Sequence, residues 1–237
     1  MPDFTNKLIV LAGVGRRGQV GEVLARAFAA RGASLALLGR DAAELDARVA
    51  ELRASGAEAA AHVCDLADAA ATEDAARRVA GAGGGRVHAL VSVAGGFAVS
   101  GPVAESAPDV LQRMLAINLT TAYCATRAFL PLLRPARGAI VYFASVAALP
   151  HATGAGVSAY AAAKSAVLAL MRAVAAEEAP RGVRANAVAP SAIRTPDNVA
   201  SSGADAKYIE PDALADAVLF LASEESRTVT GQVLRLE

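Results

Sequence analysis

Tyr160 and Lys164 are the residues whose chemistry stands out first, because they lie four positions apart in a segment of helical composition. This spacing places both side chains on one face of a helix, one turn apart. A free tyrosine has a pKa of about 10, too high for efficient proton transfer at neutral pH, and a nearby positive charge favours the phenolate. The pair therefore predicts a proton donor for a carbonyl oxygen, or a proton acceptor for an alcohol. The alternative is a surface helix with an exposed lysine and a partly buried tyrosine.

Two polar residues elsewhere in the chain are suited to the same proton transfer. Ser145 follows the apolar run 139–143, so its hydroxyl is expected at the end of a strand, where it would hold the same substrate oxygen. Asn118 lies in a helical segment after the fourth predicted strand, placed to relay protons through water to Lys164. A lysine at position 164 is also unusual for this chain, because only three of its 23 basic residues are lysines.

A glycine-rich loop follows the first apolar run and precedes a helical segment. Glycines allow backbone N–H groups to approach a pyrophosphate, and a helix N-terminus adds a favourable dipole. We therefore expect a dinucleotide at this loop, and the residues expected to contact it are Gly13, Gly15, Arg16, Arg17, Gln19 and Val20. The alternative is a tight turn whose small residues only permit a helix to pack on the sheet.

The end of the second predicted strand indicates which dinucleotide is bound. A ribose-binding carboxylate is expected there, but Gly39 takes its place and Arg40 follows. Asp41, one step further, is expected to cap the next helix. The guanidinium groups of Arg16, Arg17 and Arg40 suit a 2′-phosphate, so we expect NADP(H) rather than NAD(H). The alternative is that these arginines are simply solvated, since arginine is common in this chain.

Short apolar runs alternate with longer segments of helical period along the whole chain. Strands are expected at residues 8–11, 34–38, 59–63, 88–93, 139–143, 183–188 and 231–234. Helices are expected at 20–31, 42–54, 69–79, most of 104–133, 157–179 and 211–222. Continuous apolar strands separated by helices predict a Rossmann-type α/β fold, a doubly wound parallel sheet of about seven strands with helices on both faces. We expect one domain over residues 1–237.

Composition and charge exclude several classes of protein. The chain has 23 basic and 23 acidic residues, so it lacks the positive excess that attracts nucleic acid or an anionic membrane. Its hydrophobic content of 54% argues against disorder. Polar residues interrupt the apolar runs before they become a membrane span, and residues 1–6 lack a signal-peptide pattern. Cys64 and Cys124 show no metal-binding spacing, so we expect reduced core cysteines, no metal site and a cytoplasmic protein.

In chain order, these motifs resemble the short-chain dehydrogenase/reductase family over nearly the whole sequence. The resemblance implies a catalytic tetrad of Asn118, Ser145, Tyr160 and Lys164, of which Tyr160 and Lys164 also contact the cofactor. It implies further cofactor contacts at Asp65, Leu66, Ala94, Gly95, Ile193 and Thr195. The sequence departs from the family pattern at Ala12, where threonine is usual, and at Ser92 and Val93, where two asparagines are common. The glycine span 13–21 is also longer than usual, by two residues.

The segment with which family members cover their substrate is short in this chain. We expect a mobile or open lid at about 196–210, because the segment is rich in small residues. Phe97, His151 and Tyr208 are candidate substrate contacts, and for His151 and Tyr208 the alternative is an ordinary surface or packing role. An open, apolar entrance favours a medium-sized hydrophobic ketone or alcohol. The resemblance also implies a homodimer or homotetramer through the helices of 104–133 and 157–179.

These expectations lead to three hypotheses about function. The first is an NADP(H)-dependent carbonyl reductase, reversible as an alcohol dehydrogenase, in which Tyr160 supplies the proton. The second is a non-catalytic NADP(H)-binding regulator, suggested by the altered glycine loop, although a sensor has no need for the complete tetrad. The third is reduction of a C=C or C=N bond, for which enoyl reductases typically use a different tyrosine–lysine spacing.

Overall fold

Seven parallel strands form a single sheet in the computed structural model, which describes residues 2–82 and 84–237. The strands are β1 (Leu8–Ala12), β2 (Ser34–Gly39), β3 (Ala59–Val63), β4 (Ala89–Ser92), β5 (Ala139–Phe143), β6 (Arg184–Pro190) and β7 (Val233–Leu236). Their order is β3-β2-β1-β4-β5-β6-β7, with Ala12 of β1 in register with Ser92 of β4. The strand order reverses between β1 and β4, the switch point beside which ligands bind in open α/β sheets.

Within the described residues, eight α-helices connect or flank these strands. They are α1 (Val20–Ala29), α2 (Ala42–Ala54), α3 (Ala69–Ala82), α4 (Pro108–Met114), α5 (Thr121–Leu133), α6 (Ser158–Glu178), α7 (Pro196–Ser202) and α8 (Pro211–Ala222). Asp41 caps α2 as expected, because its carboxylate accepts a hydrogen bond of 3.1 Å from the Glu44 backbone N–H.

Apolar side chains of the strands fill two cores, one on each face of the sheet. Successive strand residues point to opposite faces, so Ile9 and Leu11 join the core that contains Phe28 of α1. Val10 joins the opposite core, which contains Phe129 of α5 and Met171 of α6. A sheet covered on both faces explains why the strands are continuously apolar. The predicted doubly wound fold is confirmed.

The apolar segment 104–133 is mostly helical, as expected. It forms α4 and α5, joined by a π-helical turn at Leu115–Thr120. Such turns occur frequently at functional sites, and this one contains Asn118. The expected lid at 196–210 contains α7, and an isolated bridge between Ile193 and Ile209 joins its two ends.

Helix α6 is both the longest helix of the described chain and the one that carries Tyr160 and Lys164. By length and composition alone, the segment Ser158–Arg181 is apolar enough to cross a membrane, with a mean hydropathy of 1.3. In this fold, however, α6 packs against β5 and β6, and its residues Leu168 and Met171 are buried in the core. The apolar composition of α6 is therefore explained by packing on the sheet.

Candidate active site

Ser145, Tyr160 and Lys164 come together at the carboxyl end of β5. Ser145 follows this strand by two residues in an extended conformation. Tyr160 and Lys164 lie in the first two turns of α6, which packs against the same strand. The fourth predicted residue, Asn118, approaches Lys164 across Gly95: a Cβ atom at Gly95 would lie 2.6 Å from Asn118 Oδ1 and 3.2 Å from Lys164 Nζ. The four residues predicted to be catalytic thus form one cluster.

Lys164 is a buried ammonium group with a single hydrogen-bond acceptor in the described structure. Its residue is 5% exposed, and Nζ donates a hydrogen bond of 2.8 Å to the Phe143 carbonyl at the end of β5. Burial disfavours the charged form and lowers the pKa of Lys164 to about 8. Nζ lies 5.9 Å from the centre of the Tyr160 ring. The lysine is therefore held beside the tyrosine and is still mainly cationic at neutral pH.

Tyr160 is partly buried, and burial raises its pKa above the ordinary value. The nearby Ser145 hydroxyl opposes this rise by hydrogen bonding. In the protein without a cofactor, desolvation of the phenol is the larger effect, and a lowering of the Tyr160 pKa by Lys164 together with an oxidised nicotinamide stays a prediction. A tyrosine with a raised pKa is protonated at neutral pH, which suits a proton donor.

The side chain of Asn118 is used to hold the loop after β4. Its Nδ2 donates to the carbonyls of Gly96 and Met114, each at 3.0 Å, and its Oδ1 accepts a bond of 3.2 Å from the Gly96 backbone N–H. Asn118 is buried, so these bonds satisfy its amide where water is excluded. The structure thus gives Asn118 a positioning role that the sequence did not suggest, and the water relay to Lys164 stays a prediction.

The glycine-rich loop is packed tightly at its base and open at its tip. Gly13 has a φ of 114°, and a Cβ atom there would lie 2.3 Å from the Ala94 nitrogen, so a side chain does not fit. A Cβ atom at Gly39 would lie 2.4 Å from the Val14 carbonyl oxygen. At Gly15, by contrast, a Cβ atom would meet nothing within 4 Å. Packing within the protein therefore does not require glycine at position 15. The open space beside it fits the predicted pyrophosphate site.

The three arginines that were expected to meet a 2′-phosphate have different environments. Arg16 Nη2 lies 2.5 Å from Asp197 Oδ2 in the first turn of α7, so this arginine already has a carboxylate partner. Arg17 and Arg40 are exposed, and no ion pair involves either of them within residues 2–82 and 84–237. Arg17 and Arg40 are therefore the guanidinium groups that stay available for a phosphate.

The other residues implied as cofactor contacts lie along the same edge of the sheet. Asp65, just after β3, accepts a bond of 2.9 Å from the Ala67 N–H, and Leu66 is buried. Ala94 and Gly95 follow β4, and Gln19 and Val20 begin α1. Ile193 and Thr195 follow β6, and the Thr195 hydroxyl caps α7 by accepting a bond of 3.3 Å from Asn198 N–H. The expected cofactor residues thus follow β1, β3, β4 and β6 at their carboxyl ends.

The three candidate substrate contacts differ in what holds them. The Phe97 ring lies against the Tyr160 ring, with centroids 5.0 Å apart and planes at 80°. His151 is exposed in the loop after Ser145 with a left-handed φ of 70°. The Tyr208 hydroxyl donates within the lid, 2.7 Å from the Gly203 carbonyl and 3.0 Å from the Asn198 carbonyl. These bonds hold Tyr208 within the lid, whereas Phe97 contacts Tyr160, and all three substrate contacts stay predictions.

Four further residues of the site were not found by sequence reasoning. The Phe143 carbonyl accepts a hydrogen bond from Lys164 Nζ, and the Gly96 carbonyl accepts one from Asn118 Nδ2. Glu22 is buried and accepts a bond of 3.1 Å from the Gly18 N–H, which ties the glycine loop to α1. Asp197 pairs with Arg16. Of these four, only Glu22 could have been found in the sequence, as an acidic residue one helical turn after Gly18. The other three contacts join residues far apart in the chain and depend on the tertiary fold.

Comparison with known proteins identifies the class to which this fold and site belong. A family model described as "Enoyl-(Acyl carrier protein) reductase" matches residues 13–237. The crystal structure of a 3-oxoacyl-[acyl-carrier protein] reductase from Brucella melitensis has a TM-score of 0.88 and 31% identity, covering 99% of this chain and 91% of that one. The chain belongs to the short-chain dehydrogenase/reductase family.

Curated relatives narrow the chemistry of the class. A "(5R,7aS)-5-hydroxy-7a-methyl-1-oxo-2,3,5,6,7,7a-hexahydro-1H-indene-carboxyl-CoA reductase" from Mycobacterium tuberculosis is 36% identical, over 96% of this chain and 90% of the relative. A meso-2,3-butanediol dehydrogenase from Serratia marcescens is 33% identical, over 96% of this chain and 92% of the relative. These similarities support oxidoreduction between carbonyl and alcohol groups.

Proposed function

We propose that the chain is an NADP(H)-dependent oxidoreductase that interconverts a ketone and a secondary alcohol, with Tyr160 as the acid and base. The observation that carries this proposal is the cluster of Ser145, Tyr160 and Lys164 at the carboxyl end of β5, with Lys164 Nζ fixed at 2.8 Å from the Phe143 carbonyl. A partly buried phenol between a hydroxyl and an ammonium is suited to hold a proton against a substrate oxygen.

Ser145, Tyr160 and Lys164 have different roles in the proposed reduction. The Ser145 hydroxyl holds the substrate oxygen, and the protonated Tyr160 hydroxyl donates its proton to that oxygen. The Lys164 ammonium stabilises the phenolate that Tyr160 leaves behind, since opposite charges in a water-poor site attract strongly. When it is bound, the reduced nicotinamide supplies the hydride to the carbonyl carbon. In the reverse direction the Tyr160 phenolate accepts the alcohol proton.

The glycine loop and the residues after β2, β3 and β6 would hold the cofactor. A Cβ atom at Gly15 would meet nothing within 4 Å, so there is room beside this loop for the pyrophosphate. Arg17 and Arg40 are exposed and would pair with the 2′-phosphate, which is the reason for proposing NADP(H) over NAD(H). By the family resemblance, Asp65 would contact the adenine, and Thr195 would contact the nicotinamide end of the cofactor.

We extend this proposal to the substrate, the assembly and the location of the protein. The relatives named above act on a bicyclic ring compound and on a small diol, so a small-molecule carbonyl or alcohol is the proposed substrate. We also propose a homodimer or homotetramer through α4, α5 and α6, and a cytoplasmic location consistent with two free, buried cysteines. Light scattering at micromolar concentration tests the assembly, and a monomer would contradict it.

A screen of NADPH oxidation tests the proposed reaction. The purified protein is given ketones, quinones, enones and imines, and the product of each active compound is identified by mass spectrometry. We expect alcohols from ketones. Reduction of the C=C bond of an enone with the carbonyl intact would favour the third hypothesis. Tight NADPH binding with no turnover across the panel would favour the non-catalytic regulator.

A further inference from the structure

The glycine-rich loop after β1 touches the lid at two places. Arg16 Nη2 lies 2.5 Å from Asp197 Oδ2 in the first turn of α7. Gly18 comes so close to Pro196 that a Cβ atom at Gly18 would lie 2.9 Å from Pro196 Cγ. Arg16 and Gly18 both belong to the glycine span 13–21, which is two residues longer than the family pattern. We call these two contacts together the loop–lid bridge.

The loop side of the bridge is held by bonds within the loop and to α1. The Gln19 N–H donates a bond of 3.3 Å to the Arg16 carbonyl, and the Gly18 N–H donates one of 3.1 Å to the Glu22 carboxylate. Glu22 is buried and also pairs with Arg26, at 2.5 Å. Gly18 has a left-handed φ of 77°, which glycine adopts without strain. The backbone that carries Arg16 is therefore fixed by contacts other than the ion pair.

The lid side of the bridge is held in a similar way. The Thr195 N–H and Asn198 Nδ2 each donate a bond of 2.8 Å to the Ile193 carbonyl, and the Thr195 hydroxyl caps α7. Asp197 lies between Thr195 and Asn198. Exposed ion pairs are usually weak because ordering two long side chains costs entropy. Since the backbone is fixed on both sides here, only side-chain freedom is lost when the pair forms.

The bridge joins the two sides of the cleft in which the cofactor is proposed to lie. Gly15, next to Arg16, has open space beside it where the pyrophosphate is expected. Thr195, two residues before Asp197, is expected at the nicotinamide end. A dinucleotide that reaches from Gly15 to Thr195 therefore passes the bridge as it enters and as it leaves. Because neither contact of the bridge involves the cofactor, the bridge opposes entry as well as release.

We propose that Arg16 and Asp197 control the exchange of the cofactor, because their ion pair has to open before NADP(H) enters or leaves. This inference rests on the proposed function. Asp197 acts through Arg16 and the glycine loop, so it is a positioning residue and not a catalytic one. A pair that is formed both before and after binding slows association and dissociation equally, and it leaves the affinity unchanged.

Stopped-flow fluorescence with NADPH measures both rates. For Asp197→Asn we expect association and dissociation to become about threefold faster, as for the loss of an exposed ion pair, with the affinity within about twofold of the wild type. Arg16→Gln should show the same rise in the dissociation rate. The double variant Arg16→Asp, Asp197→Arg restores opposite charges and should bring the dissociation rate back within about 1.5-fold of the wild type.

The matched control is Asp205→Asn. Asp205 is an exposed carboxylate of the same lid, with no hydrogen bond or ion pair in the described residues, so this variant should keep both rates within about 1.5-fold of the wild type. Salt gives a second readout, because Arg16 and Asp197 are 64% and 53% exposed. Raising the salt concentration from about 0.02 M to about 0.5 M screens the pair. The dissociation rate should then rise about threefold in the wild type and less than about 1.5-fold in Asp197→Asn.

The outcomes separate this inference from the proposed function. Slower release and tighter binding of NADPH in Asp197→Asn would mean that Asp197 holds Arg16 away from a phosphate, which overturns the role of the bridge. Unchanged rates in Asp197→Asn, or an equal rise in Asp205→Asn, would overturn it too and leave the reductase intact. A wild type that binds NADPH and reduces no ketone would overturn the proposed function, while the exchange rates are still measured. The melting temperature of each variant shows that a change in rate does not come from misfolding.

Discussion

The buried ammonium of Lys164 should make the stability of the fold depend on alkaline pH. Burial lowers the pKa of Lys164 to about 8, whereas a lysine in an unfolded chain titrates at about 10.4. The unfolded state therefore binds this proton more tightly than the folded state, and folding stability rises as the pH increases through this window. Between about pH 7 and about pH 9.5 the linkage amounts to about 2 kcal/mol.

The variant Lys164→Met isolates this contribution, because methionine fills a similar volume without a charge. We expect the unfolding free energy of the wild type, relative to the variant, to increase by about 2 kcal/mol between these two pH values. Urea unfolding followed by circular dichroism measures it. Lys207→Met, which removes an exposed lysine, is the matched control and should follow the wild type. If the difference in unfolding free energy between the wild type and Lys164→Met changes by less than about 0.5 kcal/mol between the two pH values, the buried charge is refuted.

Three further perturbations test other parts of the site and the fold. Arg40→Asp should lower the ratio of kcat/KM for NADPH over NADH by at least about tenfold, because it exchanges a phosphate partner for a ribose partner, and steady-state kinetics with both cofactors would show it. Gly13→Ala should lower the melting temperature since its Cβ has no room, whereas Gly15→Ala should leave the melting temperature unchanged and weaken only NADPH binding in a fluorescence titration. Glu178→Gln should cost about 1 kcal/mol in urea unfolding, because it removes the buried partner of Arg134, which is itself partly exposed.

The sheet and its connections were predictable because they depend on local pattern. Each of the seven strands is an apolar run bounded by turn residues, and each run lies within about two residues of its predicted position. Tyr160 and Lys164 were predictable for the same reason, since their spacing of four lies within one helix. Ser145 was placed correctly at the end of β5 because strand ends define the active edge of such sheets.

The contacts that shape the site could not be predicted in this way, because they join residues far apart in the chain. Arg16 and Asp197 are 181 positions apart, so no local pattern shows that the glycine loop is paired with the lid. The π-helical turn around Asn118 interrupts an apolar period that continues through it, and the bond from Asn118 to Gly96 joins residues 22 positions apart. The pKa of Tyr160 depends on its burial, which spacing from Lys164 does not reveal.

The most direct test of the central claim, that Tyr160 donates the proton in carbonyl reduction, is the turnover of Tyr160→Phe. The measurement is kcat for the ketone that the wild type reduces fastest, made on a preparation whose NADPH affinity is determined by fluorescence titration. We expect kcat to fall at least about a hundredfold while the affinity for NADPH changes less than about twofold. A variant that binds NADPH normally and keeps kcat within about threefold of the wild type would contradict the claim.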